Sequence, residues 1–251
     1  MRSQEKTVSN KCWSDLDNAL KAGLDRVLLY GQPGTGKTYY CLNKHLPSMQ
    51  NPTRQAYRLL CSTDMTKGDI EGMFRPNRDE WVFAESVCLT AWRTGGRLIL
   101  DELDQAGGDA LTGLLAVVDS SGSTVMNHPD TGEAIKPVEG FQVIATTNAV
   151  KLNDLPPALL DRFPVRININ TPNPEAIELL PADLREIANG WISDATRRVS
   201  LRSFFTFDQA RKTLPIETAA RLVFASHATA ITEAVRTATV ISGATFVEET
   251  A

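Results

Sequence analysis

Along the chain, hydrophobic and polar positions follow two rhythms. Short, near-continuous apolar runs occur at Val27–Tyr30, Ala56–Cys61, Arg97–Leu100, Phe141–Thr146 and Val165–Ile169. Rich in Val, Ile and Leu, these runs predict strands buried on both faces of a mostly parallel sheet. Between them lie longer stretches with apolar residues three and four apart. TYYCLNKHL follows the first run, and DALTGLLAVVDSS follows the third. The latter sets Leu111, Leu114, Leu115 and Val118 on one helical stripe. Strands alternating with helices predict an α/β layer architecture with right-handed crossovers.

Two stretches break the alternation. Residues 64–82, DMTKGDIEGMFRPNRDEWV, are long, polar and glycine-containing, and precede a helix near ESVCLTAWRTGG. Residues 123–140 read as a hairpin turning at Pro-Asp-Thr-Gly. Either is a functional loop or a plain surface excursion. NTPNPEA, at 170–176, ends the last strand and opens a helix. Beyond it the apolar spacing is helical throughout, so a small all-α domain is expected over 172–251, after an α/β domain over 1–171. The last ten or so residues are expected to be loose.

Composition narrows the class. Of 251 residues, 42% are hydrophobic, enough for a sizeable core, and the net charge of −4 gives no bulk attraction to nucleic acid or anionic lipid. Cys12, Cys41, Cys61 and Cys88 form no C-x-x-C pair, and His45, His128 and His227 are scattered, so no zinc pattern emerges. The cysteines read as reduced thiols of a cytoplasmic protein. The first 13 residues lack the apolar stretch of a secretory signal, and no window is apolar enough to span a membrane.

The chemistry concentrates at strand ends. Gly31-Gln32-Pro33-Gly34-Thr35-Gly36-Lys37-Thr38 matches G-x-x-x-x-G-K-[ST], directly after a strand and opening a helix with Tyr39. The glycines let the backbone curl until successive N–H groups face one point, an anion nest at a helix N-terminus. Lys37 is placed to reach the outer phosphates of a nucleotide, and the Thr38 hydroxyl to ligate Mg²⁺. RLILDEL ends a second strand in two acids. Asp101 is the candidate for the Mg²⁺ water shell, and Glu102 for polarising an attacking water. FQVIATTN ends a third strand at Asn148, which can hold that water if its strand lies between the other two. Asn also simply closes strands. In PPALLDRF, Pro156-Pro157 opens a short helix ending at Arg162. Arg162 is a candidate to stabilise charge on a transferring phosphoryl group, in its own subunit or a neighbour's. The plain alternative is a surface Asp161–Arg162 arrangement.

In this order, the four elements resemble the AAA+ ATPases. Gly31–Thr38 resembles Walker A, LILDEL Walker B, ATTN sensor 1, and ALLDRF the segment bearing the arginine finger. GFQVIATTN and LLDRFPVRINI are most similar to the MoxR-like subgroup, which includes CbbQ-, NorQ- and GvpN-type proteins. Its hairpin before sensor 1 and its insertion in the second helix would fall at 123–140 and 64–82. The resemblance is strong over about 25–170 and weaker beyond.

The resemblance implies a P-loop NTPase fold, a three-layer α/β/α parallel sheet with a C-terminal helical lid. It implies ATP and Mg²⁺ as cofactors and a ring, usually a hexamer, with ATP between subunits. It also implies remodelling of a protein client, often with a partner carrying a von Willebrand factor A domain. Sensor 2 would be Arg202, in Ser200-Leu201-Arg202, where the family often has proline in the middle; Arg197, Arg198 and Arg221 compete. With so little sequence before the P-loop, no appended recognition domain is expected. A nucleic-acid-directed loader or translocase subunit, a slow nucleotide-gated switch and a small-molecule kinase are the alternatives. The acidic balance weighs against the first. The kinase would leave Glu102, Asn148 and Arg162 without a joint role.

Overall fold

The structure is a computed structural model that describes residues 11–44, 55–119, 124–149, 152, 155–194, 196–197 and 199–242. The expected loose C-terminus, Arg198, His45 and the first residue of the 123–140 hairpin lie outside the described residues.

In chain order the elements are α1 (Lys11–Lys21), β1 (Arg26–Tyr30), α2 (Lys37–Asn43), β2 (Ala56–Leu60), α3 (Lys67–Glu71), β3 (Met73–Asn77), β4 (Glu80–Ala84), α4 (Val87–Thr94) and β5 (Arg97–Asp101). They continue with α5 (Gly108–Val118), β6 (Met126–Asn127), β7 (Ala134–Ile135), β8 (Gln142–Thr146), α6 (Pro157–Asp161) and β9 (Val165–Asn168). Five helices follow: α7 (Pro174–Glu178), α8 (Ala182–Ser193), α9 (Leu201–Ala210), α10 (Ile216–Phe224) and α11 (Ala228–Ser242).

Five strands form one parallel sheet in the order β2-β5-β8-β1-β9. The fold is that of a P-loop NTPase, with a helical C-terminal region. Strands β5 and β8 are buried at every residue, as the apolar runs predict. The edge strands β2 and β9 are not: every second residue of β9 is exposed, and β2 exposes Arg58 and Leu60. Expecting all five to be buried on both faces overlooks that an edge strand has a neighbour on one side only.

The chain divides into two compact units. One comprises Ser14–Gly31 and Lys37–Asn168; the other gathers Gln32–Gly36, the stretch from Ile169 onward and the residues up to Trp13. In the first, the core is built on Leu28, Leu98, Leu100, Val143 and Ala145 of the central strands, with Leu89, Trp92, Leu114 and Val118 from helices. The buried stripe of α5 runs through Ala110, Leu114, Val117 and Val118, while Leu111 and Leu115 are only partly covered.

Two buried arginines fix helix ends in this unit. Arg97 is wholly buried; its Nη1 donates to the carbonyls of Cys41 (3.1 Å) and Lys44 (2.9 Å), at the C-terminus of α2. Arg26 does the same for α5, donating to the carbonyls of Val118 (2.9 Å) and Asp119 (2.8 Å). A cation there satisfies carbonyls the helix leaves unpaired and complements its dipole.

The polar stretch over 64–82 is not a plain loop. It holds α3 and most of an antiparallel hairpin of β3 and β4, which runs on to Ala84 and pairs Met73 with Ala84 and Asn77 with Glu80. The second hairpin, β6 with β7, has the expected turn. His128 organises that turn, its Nδ1 accepting from the amides of Asp130 and Thr131, both at 3.2 Å.

The second unit is helical, with a core of Leu184, Phe204, Phe207, Phe224 and Ile231. The indole of Trp13, in the unexpected helix α1, donates to the Thr171 carbonyl at 3.1 Å. All four cysteines are free and buried. Among the described residues no helix is long and apolar enough to cross a membrane.

Candidate functional site

Strands β5, β8 and β1 are parallel neighbours, so their C-terminal ends share one edge of the sheet. In open α/β sheets that edge is where ligands bind. Strand β8 lies between the other two, the placement Asn148 requires.

The glycine loop joins β1 to α2. Gly31, Gly34 and Gly36 have φ of 128°, 80° and 94°, a region costly for any residue with a Cβ. Gly34 is also tightly packed: a Cβ there would lie 2.2 Å from that of Ser200. Its carbonyl accepts from the Leu201 amide at 2.9 Å, and the Thr35 carbonyl accepts from the Asn173 amide at 2.8 Å. The loop segment Gln32–Gly36 is thus fastened to the start of α9 and to the residue before α7. Tyr39 is exposed on α2.

Lys37 is 6% exposed, and its Nζ donates to the Gly31 carbonyl at 2.8 Å and to Asn148 Oδ1 at 3.4 Å. Burial lowers its pKa from 10.5 to about 8, against the opposing pull of Asp101 and Asp104. A buried ammonium held this way is poised to be stabilised by an incoming anion.

Asp101 closes β5 and is buried. Its Oδ1 accepts from Thr38 Oγ1 at 2.8 Å and from Thr146 Oγ1, and its Oδ2 accepts from Arg58 Nε at 2.9 Å and Arg58 Nη2. Burial alone would raise its pKa, but the hydrogen bonds from Thr146, Thr38 and Arg58 outweigh burial and hold it below the ordinary carboxylate value. Since Thr38 spends its proton on Asp101, its hydroxyl lone pairs are left for a cation. Among the described residues, no three His, Cys, Asp or Glu side chains converge as a cation cage. A hydroxyl beside an ionised carboxylate is instead the donor set that suits Mg²⁺ completed by phosphates and water.

Glu102 leaves the strand in a left-handed conformation, φ 58° and ψ 47°. For a residue other than glycine this costs on the order of 1 kcal/mol, and such strain gathers at functional positions. The turn separates the two acids: Asp101 points into the hydroxyl cluster, while Glu102 is exposed. The Glu102 amide donates to Thr146 Oγ1 at 3.3 Å, tying the turn to β8. The Asn148 amide donates to Asp104 Oδ1 at 3.4 Å.

Lys37, Thr38, Asp101 and Asn148 are therefore brought together, with Glu102 adjoining. Arg162 is not part of this cluster. Capping α6, it donates to the carbonyls of Leu115 (3.2 Å) and Ala158 (2.8 Å) and pairs with Asp119 at 3.5 Å. Arg202 is exposed in the first turn of α9, one residue past the Leu201 amide that meets Gly34. Arg197 is engaged elsewhere, paired with Asp194 at 2.9 Å and stacked 4.2 Å from the Trp191 ring centroid. Arg221 lines a cleft of about 590 Å³ between α10 and α11 with Glu217 and Arg236.

Three participants were not singled out from the sequence: Arg58, Thr146 and Asp104. Two had a signal. Arg58 is a lone charge inside the apolar run AYRLL, and Thr146 is a hydroxyl at the end of an apolar run.

The family model for the AAA domain, dynein-related subfamily, matches residues 26–163. A protein of Staphylococcus saprophyticus is 32% identical over 146 residues, covering 55% of this chain and 53% of that protein. One from Staphylococcus aureus strain USA300 is 32% identical over 162 residues, covering 61% of this chain and 59% of the relative. The chain thus spans between half and three-fifths of the length of these curated relatives. Among solved structures, NtrX from Brucella abortus aligns with a TM-score of 0.51 at 13% identity, covering 81% of this chain and 52% of that one. A second NtrX structure, in complex with ADP, aligns at 0.50 and 16% identity, covering 79% and 51%. These two share the fold. With more than half of its length matched, from the first sheet strand to just past α6, the chain belongs to the AAA domain family, dynein-related subfamily.

Proposed function

We propose that this chain binds ATP with Mg²⁺ and hydrolyses it, and that it works as a remodelling motor on a protein client. The observation that carries the reading is the convergence of Lys37, Thr38, Asp101 and Asn148 at the ends of three adjacent parallel strands. Lys37 neutralises the outer phosphates. Thr38 and Asp101 hold the metal, which when bound neutralises charge on the phosphate oxygens. Glu102, outside the hydroxyl cluster and open to solvent, takes the proton of the attacking water, and Asn148 orients that water. Family membership supports the nucleotide, as does the ADP of one NtrX structure.

The finer reading is a MoxR-like ring, a hexamer, with nucleotide at subunit interfaces. Arg162 then serves the neighbour's nucleotide, and Arg202 acts as sensor 2. Clients are proteins, with or without a partner bearing a von Willebrand factor A domain. The decisive variant is Glu102→Gln. ATP binding should persist while turnover falls by about a hundredfold or more, the usual worth of a general base. Hydrolysis at the normal rate refutes the assignment. The same variant, held with ATP, should retain the client in affinity capture, and native mass measurement with ATP reads the ring size.

A further inference from the structure

Arg58 sits in the middle of edge strand β2, opposite Ile99 of β5, and both its Nε and Nη2 donate to Oδ2 of Asp101. An ionised carboxylate offers about four acceptor positions. On Asp101 all four are taken: Oδ1 by Thr38 and Thr146, Oδ2 twice by Arg58. A divalent cation needs an acceptor on this carboxylate, whether it binds directly or through a coordinated water. One of the three donors must therefore give way.

The three differ in what leaving costs. Thr146 is buried and also receives the Glu102 amide, so its departure would loosen the turn that carries Glu102. Thr38 is itself the hydroxyl the cation would use. The Arg58 side chain is 46% exposed and can return to water with little desolvation change. We propose that Arg58 is a positioning residue that competes with the divalent cation for Oδ2 of Asp101 and is displaced when cation and nucleotide load together, so that it sets the cation affinity of the site. The proposal rests on the nucleotide reading above.

The test compares the full chain with Arg58→Ala, Arg58→Gln and Arg58→Lys, each checked for folding by circular dichroism. Two affinities are measured: a fluorescent ADP analogue in EDTA, and Mn²⁺ by electron paramagnetic resonance at saturating ADP. Because Arg58 is itself half exposed and regains its hydration on leaving, its competition is modest, and Arg58→Ala and Arg58→Gln should bind Mn²⁺ roughly two- to fivefold more tightly. Arg58→Lys, which keeps the charge but loses the fork, should fall between them and the parent. ADP affinity in EDTA should stay within about twofold, because the lysine and glycine loop are untouched. A residue that merely supports Asp101 would give the opposite sign, weaker Mn²⁺ binding on removal. Unchanged or weaker Mn²⁺ binding in the folded variants overturns the competition while leaving the nucleotide site intact. Failure of the folded parent to bind the ADP analogue with or without Mn²⁺ overturns the nucleotide reading, and this proposal with it.

Discussion

Replacing Lys37 by methionine should stabilise the protein in the absence of nucleotide, although it removes the residue proposed to neutralise the outer phosphates. Burial holds the Lys37 pKa at about 8, against 10.5 for the unfolded chain. Keeping the charge on a buried amine with that difference costs roughly 3 kcal/mol. The cost is fully present below about pH 8, where lysine is protonated in both states. Between about 8 and 10.5 the folded protein releases its proton first, so the unfolded state binds more protons and stability rises with pH. Methionine carries no such term but forfeits the hydrogen bonds to the Gly31 carbonyl and to Asn148 Oδ1, together worth about 1–2 kcal/mol. At pH 7 Lys37→Met should therefore be more stable by roughly 1–2 kcal/mol. By pH 9.5 its advantage should have shrunk by about 2 kcal/mol. The assay is urea unfolding of both proteins at pH 7, 8.5 and 9.5, at fixed ionic strength and without nucleotide. Other titrating groups are common to the two proteins and cancel in the difference. With ATP and Mg²⁺ added, only the parent should gain stability. Parallel stability curves across this range, or a parent more stable at pH 7, would refute the reasoning that desolvation of the buried ammonium outweighs its partners.

Three further outcomes follow from the geometry. Gly34→Ala places a Cβ 2.2 Å from that of Ser200 at a φ of 80°, and should cost about 2–4 kcal/mol in chemical denaturation; Ser200→Gly in the same chain should recover part of it. Arg97→Met strips the cation from the end of α2 and leaves the Cys41 and Lys44 carbonyls short of a donor, for an expected loss of about 2–4 kcal/mol and weaker nucleotide binding by calorimetry. Arg162→Ala and Glu102→Gln should each be inactive alone, yet regain ATPase activity when mixed if the arginine serves a neighbour's site; no recovery in mixed assemblies would place Arg162 in a structural role only.

The sequence carried most of the fold because its strands announce themselves. Runs such as RLIL and FQVIAT are apolar on both faces, as central strands of a parallel sheet must be. The glycine loop was equally legible, since its pattern meets a chemical demand that few other sequences satisfy. What escaped was tertiary in origin. The β3–β4 hairpin is exposed along most of its length, so no apolar run marks it; Trp81 and Phe74 on its surface look like noise in a polar stretch. Helix α1 is a short amphipathic segment ahead of the first strand, outside the strand–helix alternation that marks the sheet. Arg58 could be seen as a charge in a strand, but only the pairing of β2 with β5 shows that it meets Asp101. Spacing along the chain does not encode which strands become neighbours.

The buried arginines suggest how such a site tolerates its own strain. The C-terminal end of the sheet gathers two costly features, a desolvated ammonium and a left-handed glutamate. Each costs on the order of 1 kcal/mol or more, and each persists only if its surroundings leave no cheaper arrangement. Those surroundings are fixed from the opposite end of the elements. Arg97 and Arg26 sit at the start of β5 and β1 and clamp the C-termini of α2 and α5, while Glu102 follows the other end of β5 and Lys37 opens α2. The stability term and the functional term are thus carried by different residues of the same elements. Loss of a clamp should appear first as a looser nucleotide site and only later as global unfolding, whereas loss of Lys37 or Glu102 should abolish function with the fold intact or stabilised.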